Sequence, residues 1–330
     1  MAIKDFIEIE KEPRRGLILL EWVIIIYILF TGVMMYFLRD ALSNLDAMVE
    51  GRVRIAASIV AMWAVYRLMP CRLTMGLRVF IQLAMLGWWY PDTYELNRCL
   101  PNLDHLFAQA DQNLFGFQPA LLFHEQAPWP VLSEALDFGY VAYYPMMVIV
   151  LLSAFCYRYQ EFTRCAFIVI GSFFVYYVIF DLLPVAGPTY YYPAIGLDNV
   201  TAGLFPSVGD YFNVHDECLP VPGHLSGVGY WMVEIAKIAG ERPTAAFPSS
   251  HVGVATVCML LVWFRQSRKL FFILLPFYVC LCLATVYIQA HYAVDAIAGL
   301  LTGVLIYYLL SFVYSCLRRE CSRSQTEPAS

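Results

Sequence analysis

Phe247-Pro248-Ser249-Ser250-His251 opens, and His291-Tyr292-Ala293-Val294-Asp295 closes, the stretch around which this chain is organised. Between them lie two apolar runs, Val252 to Phe264 and Leu270 to Ile288, separated by the basic turn of Arg265, Arg268 and Lys269. At about 1.5 Å per helical residue, Pro248 to Gln266 spans roughly 28 Å and Leu270 to Gln289 roughly 30 Å, each about one hydrocarbon core. The spacing therefore predicts that His251 and His291 return to the same membrane face, where two imidazoles and a carboxylate form a candidate active site.

The rest of the composition agrees. Of 330 residues 60% are hydrophobic and 14% charged, with a mean hydropathy of +0.62, which describes a polytopic membrane protein and not a soluble domain. The net charge of -5 offers no basic surface for nucleic acid. Ten cysteines contain no CxxC pair, so neither a zinc ribbon nor a redox motif is indicated. Cys99 and Cys218 fall in the two long polar loops, where an oxidising compartment would allow a disulfide between them.

Working outward, apolar segments predict an all-α bundle of about eight spans: Gly16 to Leu38, Ile55 to Met69, Leu73 to Tyr90, Leu136 to Tyr157, Cys165 to Leu183, Pro248 to Phe264, Leu270 to Gln289, and Tyr292 to Cys316. Glu21 is expected near the cytoplasmic interface. Arg67, Arg72, Arg78, Arg158, Arg164, Arg265, Arg268, Lys269, Arg318, Arg319 and Arg323 then share one side with the basic N-terminus. Arg39, Arg52, Arg54, Arg98, Lys237 and Arg242 fall on the other. The excess of basic residues predicts cytoplasmic termini and an outward-facing histidine pair, periplasmic or lumenal.

The segmentation reads as an N-terminal segment with three spans over 1–90, an outer interfacial helical loop over 91–131, and a catalytic membrane core over 132–316. Within that core 185–246 forms an outer lid loop, and 317–330 is a disordered cytoplasmic tail. In the first loop Leu103, Leu106, Phe107, Ala110 and Leu114 recur at helical spacing among Asp104, His105, Gln109 and Asp111. That pattern fits an amphipathic helix at the interface or one capping the bundle. The second loop, rich in Pro, Gly and Tyr, contains a helical segment from Tyr230 to Ala239 that ends at Gly240.

Pro248 suits a helix's first turn, leaving backbone N–H groups around Ser249 and Ser250 available to a phosphate, with His251 next to them. His291 and Asp295, four apart, would share a helix face, the carboxylate fixing one ring nitrogen and freeing the other as a nucleophile. The competing readings are interfacial histidines with structural hydrogen bonds, or a metal held by His251, His291 and Asp295.

These two clusters resemble the second and third signature motifs of the type-2 phosphatidic acid phosphatase superfamily, which includes lipid phosphotransferases and vanadate-dependent haloperoxidases. The resemblance implies a six-helix catalytic core, His291 as the nucleophile of a phosphohistidine, Asp295 as its orienting partner, His251 as the acid on the leaving alcohol, and neither metal nor cofactor. Two departures matter. The arginine usually found six residues before the nucleophile is Thr285 here. The first motif, a lysine followed after six residues by Arg-Pro, is absent, since Lys237 and Arg242-Pro243 have four residues between them.

The run from Thr285 to Tyr292 instead resembles the third motif of inositol phosphorylceramide synthases, and Pro184 to Tyr191 is similar in kind to their proline-plus-aromatic segment. This implies transfer of a phosphoinositol-type headgroup from a glycerophospholipid to ceramide or another lipid alcohol. Ser249, Ser250, Arg242, Thr285, Asp181 and Tyr190 are the expected phosphate or headgroup ligands. A lipid phosphate phosphatase is the alternative function, and a non-catalytic binding or transport protein of the same fold is the third.

Overall fold

The computed structural model describes residues 4–324. Among them the chain is all-helical, with a single isolated bridge between Ile9 and Cys71. A short α1 (Lys4–Ile7) precedes three long helices, α2 (Leu19–Leu38), α3 (Leu45–Leu68) and α4 (Arg72–Asn97). The first long loop folds into α5 (Asp104–Phe115) and α6 (Pro119–Gln126). Next come α7 (Pro130–Val141) and α8 (Tyr143–Tyr157), an apolar pair bent by 49° at Ala142, and α9 (Tyr159–Leu182). The second loop carries α10 (Pro188–Ile195), α11 (Leu197–Thr201) and α12 (Val228–Gly240) before α13 (Ser250–Arg265), α14 (Arg268–Tyr287) and α15 (Ala293–Ser324) close the chain.

Every expected span thus has a helix, although only α2, α9, α14, α15 and the bent α7–α8 pair are long and apolar enough to cross a membrane by composition. The reason α3 and α4 fall short is chemical. Both are long enough, roughly 36 and 39 Å, but each carries charge into the bundle. Arg52 of α3 makes a bidentate pair with Asp92 of α4 at 3.1 and 2.7 Å, and Arg78 of α4 pairs with Glu21 of α2, all four buried. A charge in the bilayer is tolerated when it turns inward and is paired. Glu21, in the first turn of α2, is a buried core residue that also accepts the Ile18 N–H at 2.8 Å.

Helix α9 is the axis of the bundle: 78% of its apolar segment is buried, against 33% for α2 and α14. It packs against α2, α4, α8, α13 and α15. The peripheral helices turn apolar stripes outward, such as Trp22, Ile26, Leu29 and Val33 on α2 and Leu301, Leu305, Tyr308 and Phe312 on α15, which suits contact with lipid chains. Small residues set the closest approach. A Cβ on Gly299 or Gly303 would lie 2.5 Å from the Ser249 or Gly253 carbonyl oxygen, so α13 and α15 touch backbone to backbone. The same is true of α7 and α14 at Gly139 and Cys280.

Two boundaries differ from expectation. Helix α4 runs through Pro91 to Asn97, because a proline in the last turns forfeits a single backbone bond, so the first long loop begins after α4. Helix α5 packs on α15 and α10 and so caps the bundle, one of the two readings its pattern allowed. The expected disordered tail is helical as far as Ser324; residues 325–330 lie outside the described residues. Cys99 and Cys218 are both free thiols. Cys99 points back at the Glu95 carbonyl beside an apolar cluster of Met35, Leu42 and Leu96, and Cys218 is exposed, so the expected bridge is absent.

Candidate active site

His291 occupies the turn between α14 and α15, and that turn is held from several directions. Its N–H donates to the Thr285 carbonyl at 3.0 Å, and Gln289 takes the left-handed conformation (φ 63°) that ends many helices. The Gln289 carbonyl accepts from Thr189 N–H at 3.0 Å. Gly187 (φ 94°) lies so close that a Cβ there would be 2.7 Å from the Ala290 oxygen, which explains a glycine at that position. The Pro184 to Tyr191 segment thus lies directly against the histidine turn.

The imidazole is fixed by a backbone group. Nδ1 lies 2.7 Å from the Ala246 carbonyl, to which it donates, whereas Asp295 Oδ2 is 3.7 Å away. This differs from the expected Asp295 hydrogen bond, because His291 precedes α15 and the two residues are not on one helix. Asp295 Oδ2 accepts the Tyr292 N–H at 2.9 Å, and Oδ1 has no partner among the described residues. With Nδ1 protonated, the lone pair is on Nε2, which is neither hydrogen-bonded nor enclosed. Burial pushes the His291 pKa down to about 4, with the Ala246 carbonyl acting in the opposite direction. The ring is therefore neutral, and so nucleophilic, at ordinary pH.

His251, on the first turn of α13, has its ring centroid 5.7 Å from that of His291, inclined at 65°. Tyr140 stacks on it at 4.8 Å and Tyr143 tilts against it at 4.5 Å, the two tyrosines flanking the bend between α7 and α8. Its Nδ1 is enclosed without a partner, so Nε2 is the nitrogen a ligand reaches.

The expected ligands divide. Ser249 is buried and caps α13, its Oγ accepting from Val252 N–H at 3.4 Å and its N–H donating to the Asp295 carbonyl at 3.0 Å. Helix α13 thus begins one residue beyond Ser249, and the N–H groups left without partners among the described residues are those of Ser250 and His251. Thr285 is buried, with its hydroxyl on the Cys282 carbonyl at 2.9 Å; it positions His291 through its own carbonyl. Asp181 is buried elsewhere, accepting from Tyr27 of α2 at 2.9 Å. Arg242 is exposed, and Lys237 is occupied by the Leu219 carbonyl at 2.7 Å and the Thr189 hydroxyl at 3.1 Å. No Lys or Arg side chain hydrogen-bonds to either histidine among the described residues. Tyr190 is buried on α10, its ring centroid 6.4 Å from that of Phe212.

A match to the PAP2 superfamily model covers residues 105–309, more than half of the chain. The chain belongs to the PAP2 superfamily. It is a membrane enzyme of the phosphatase or phosphotransferase type that defines the type-2 phosphatidic acid phosphatases, and its substrates are membrane lipids. No curated protein and no solved structure matches it. The matched PAP2 region begins in α5 and ends in α15, leaving α2 to α4 as an addition before it.

Two functional residues escaped the sequence reading. Asp104 accepts from Ala186 N–H (2.6 Å), Gly187 N–H (2.8 Å), Asn102 Nδ2 (2.6 Å) and Tyr292 Oη (2.9 Å), tying α5, the Pro-Gly segment and the histidine turn together. Asp111 accepts the Ala293 and Val294 N–H groups, both at 2.9 Å, and so caps α15 from another helix. The signal was present: two carboxylates seven apart on α5 share a face, among apolar neighbours. Burial raises both, Asp111 to about 6, with the backbone bonds acting to lower them.

Proposed function

We propose that this protein is a lipid phosphotransferase that moves a phosphoinositol-type headgroup from a glycerophospholipid to ceramide, through a phosphohistidine on His291. The observation that carries the reading is the Nδ1–H···O bond to Ala246, which leaves a reachable Nε2 lone pair beside the His251 ring. Nε2 attacks the phosphorus, the bond from phosphorus to the glycerol oxygen breaks, and His251 passes its proton to the departing diacylglycerol. In the second half His251 takes the proton of the ceramide hydroxyl, whose oxygen bonds the phosphorus as the P–Nε2 bond breaks. Asp295, 3.7 Å from Nδ1, steadies the positive charge the ring acquires. The N–H groups at the start of α13 suit a phosphoryl oxygen.

The transferase reading draws support from the cations. With Thr285 in place of an arginine, Arg242 exposed, and Lys237 bonded to the Leu219 carbonyl and the Thr189 hydroxyl, the site suits a phosphodiester, which carries one negative charge, better than a monoester, which carries nearly two. The orientation we propose, with cytoplasmic termini and the histidines outside across eight spans, rests on the basic residues at the far helix ends, among them Arg72, Arg158, Arg265, Arg268 and Arg318.

The test uses purified protein in detergent with labelled phosphatidylinositol plus ceramide, and separately with phosphatidic acid or prenyl phosphates. Headgroup transfer to ceramide is expected, falling by about a thousandfold or more in His291→Gln, where the nucleophile is gone. Phosphate release with no acceptor would make the enzyme a lipid phosphate phosphatase, and no turnover would make it a binding protein. Label trapped on a residue other than His291 would overturn its assignment.

A further inference from the structure

Helix α12, in the second long loop, is inside out for a helix that faces water. Val228, Trp231, Ile235 and Ile238 follow one another at spacings of three, four and three and so share one face. All four are exposed, Trp231 at 62% and Ile238 at 82%. The charges of the helix lie off this stripe. Lys237, on the opposite face, points into the protein, where its amine donates to the Leu219 carbonyl at 2.7 Å and the Thr189 hydroxyl at 3.1 Å, and Glu234 is half-buried. A surface helix in water turns its charges outward and hides its apolar stripe. One that does the reverse has an apolar partner or an apolar solvent on its outer side.

The packing of α12 says which. Its inner face is pressed on α7: the Gly229 N–H donates to Glu134 Oε2 at 3.0 Å, and a Cβ on Gly229 would lie 2.8 Å from that of Asp137. Val233 joins Leu136 of α7 and Ala284 of α14 in one buried cluster. Helix α14 is apolar and long enough to cross a membrane, and it ends at Tyr287, on the histidine side. Ala284 stands three residues, about 5 Å, before that end. Helix α12 therefore lies level with the last turns of α14, at the depth where hydrocarbon gives way to headgroups. Over the same stretch α7 and α14 expose apolar side chains of their own, Phe138 and Leu283 among them, so the stripe on α12 extends a surface already suited to lipid. A tryptophan at its centre fits that depth, which indole rings favour.

We infer that α12 is an interfacial helix whose outer face is immersed in the acyl chains of the leaflet on the histidine side, a lipid surface that moors the second long loop. Such a face sits about 5–10 Å into the boundary between headgroups and chains, in keeping with the level at which Val233 meets Ala284. The mooring reaches the site through two bonds. Lys237 holds the Thr189 hydroxyl, and the Thr189 N–H donates to the Gln289 carbonyl at 3.0 Å, in the turn that carries His291. The inference does not depend on the reaction assigned to that turn.

Trp231 is its own probe. The full-length protein and Trp231→Phe are reconstituted in phosphatidylcholine vesicles, plain or brominated on the upper acyl carbons, and the emission of Trp231 is the difference between the two proteins. Bromination is expected to remove about half of that emission or more, as for an indole among the upper chain carbons, and aqueous iodide to leave it nearly unchanged. Ile238→Trp, read as the emission it adds to the unaltered protein, repeats the measurement without loss of Trp231 and should be quenched by bromine in the same way. Val214→Trp, at a site 82% exposed between Asn213 and His215, should instead be quenched by iodide. Iodide quenching at positions 231 and 238 would put the stripe in water, and shielding from both quenchers would put a second copy or another protein on it. Either result overturns the inference, as does bromine quenching at position 214 as strong as at 231.

Discussion

His291 owes its readiness to a single backbone carbonyl. Because Ala246 holds Nδ1–H and burial disfavours the cation, the ring is expected to bind a proton near pH 4, where an ordinary histidine does so near 6.5. The midpoint of ethoxycarbonylation at His291, followed by mass spectrometry from pH 3.5 to 8, should fall near 4; a midpoint near 6.5 would contradict the burial argument. The same shift has a sign for stability. The unfolded chain takes the proton near 6.5 and the folded one near 4, so this histidine's contribution is complete above 6.5 and is withdrawn as pH falls towards 4. At this scale the sequence showed the residue types and not their partners. His291 and Asp295 are four apart, which suggests a helical pair, but the chain turns at His291 before α15 begins, and no periodicity reports a carbonyl 45 residues earlier. Thr285 and Ser249 likewise looked like ligands because hydroxyls bind phosphate, whereas each is consumed by the helix it belongs to.

Helix α5 and the α13–α15 contact decide how the residues above are placed. Removing the Asp104 carboxylate strands the Ala186 and Gly187 N–H groups and the Tyr292 hydroxyl, each lost partner costing about 1–3 kcal/mol in a buried setting. Asp104→Ala should therefore lower both the thermal midpoint and the rate of His291 labelling, although Asp104 touches neither histidine. Gly303→Ala places a Cβ against the Gly253 backbone and forces α13 from α15, at about 1–3 kcal/mol. Gly87→Ala in α4 meets nothing within 4 Å and should be neutral or slightly stabilising by helix propensity; comparing the thermal midpoints and labelling rates of the two variants checks the contact. The helices were legible because long apolar runs in a chain of this composition have few other ways to satisfy their backbone. The capping role of α5 was legible only as one of two readings, since an amphipathic stripe says that a face is covered and not by what.

Across the whole molecule, α2 to α4 join the matched PAP2 region through polar bonds buried in an apolar bundle: Glu21–Arg78 within the group, and Tyr27–Asp181 and Asn97 to the Phe180 carbonyl across to α9. Arg78→Met leaves the Glu21 carboxylate buried and unpaired and should cost about 3–5 kcal/mol, read as a fall in the thermal midpoint. Glu21→Gln with Arg78→Met keeps an acceptor for Ile18 N–H without the orphan charge and should recover most of that loss. Composition understated these helices, because inward charge counts against a span in sequence whichever way the side chain points. The Asp104–Tyr292 bond has a consequence for biogenesis. It joins residues 188 positions apart, and α15 begins directly after it. Helices fold as the chain emerges, but the turn that carries the nucleophile is not tied to α5 until residue 292 has been made. Catalytic competence therefore arrives late and all at once, and a nascent chain halted anywhere before the histidine turn would sit in the bilayer folded in part and chemically silent.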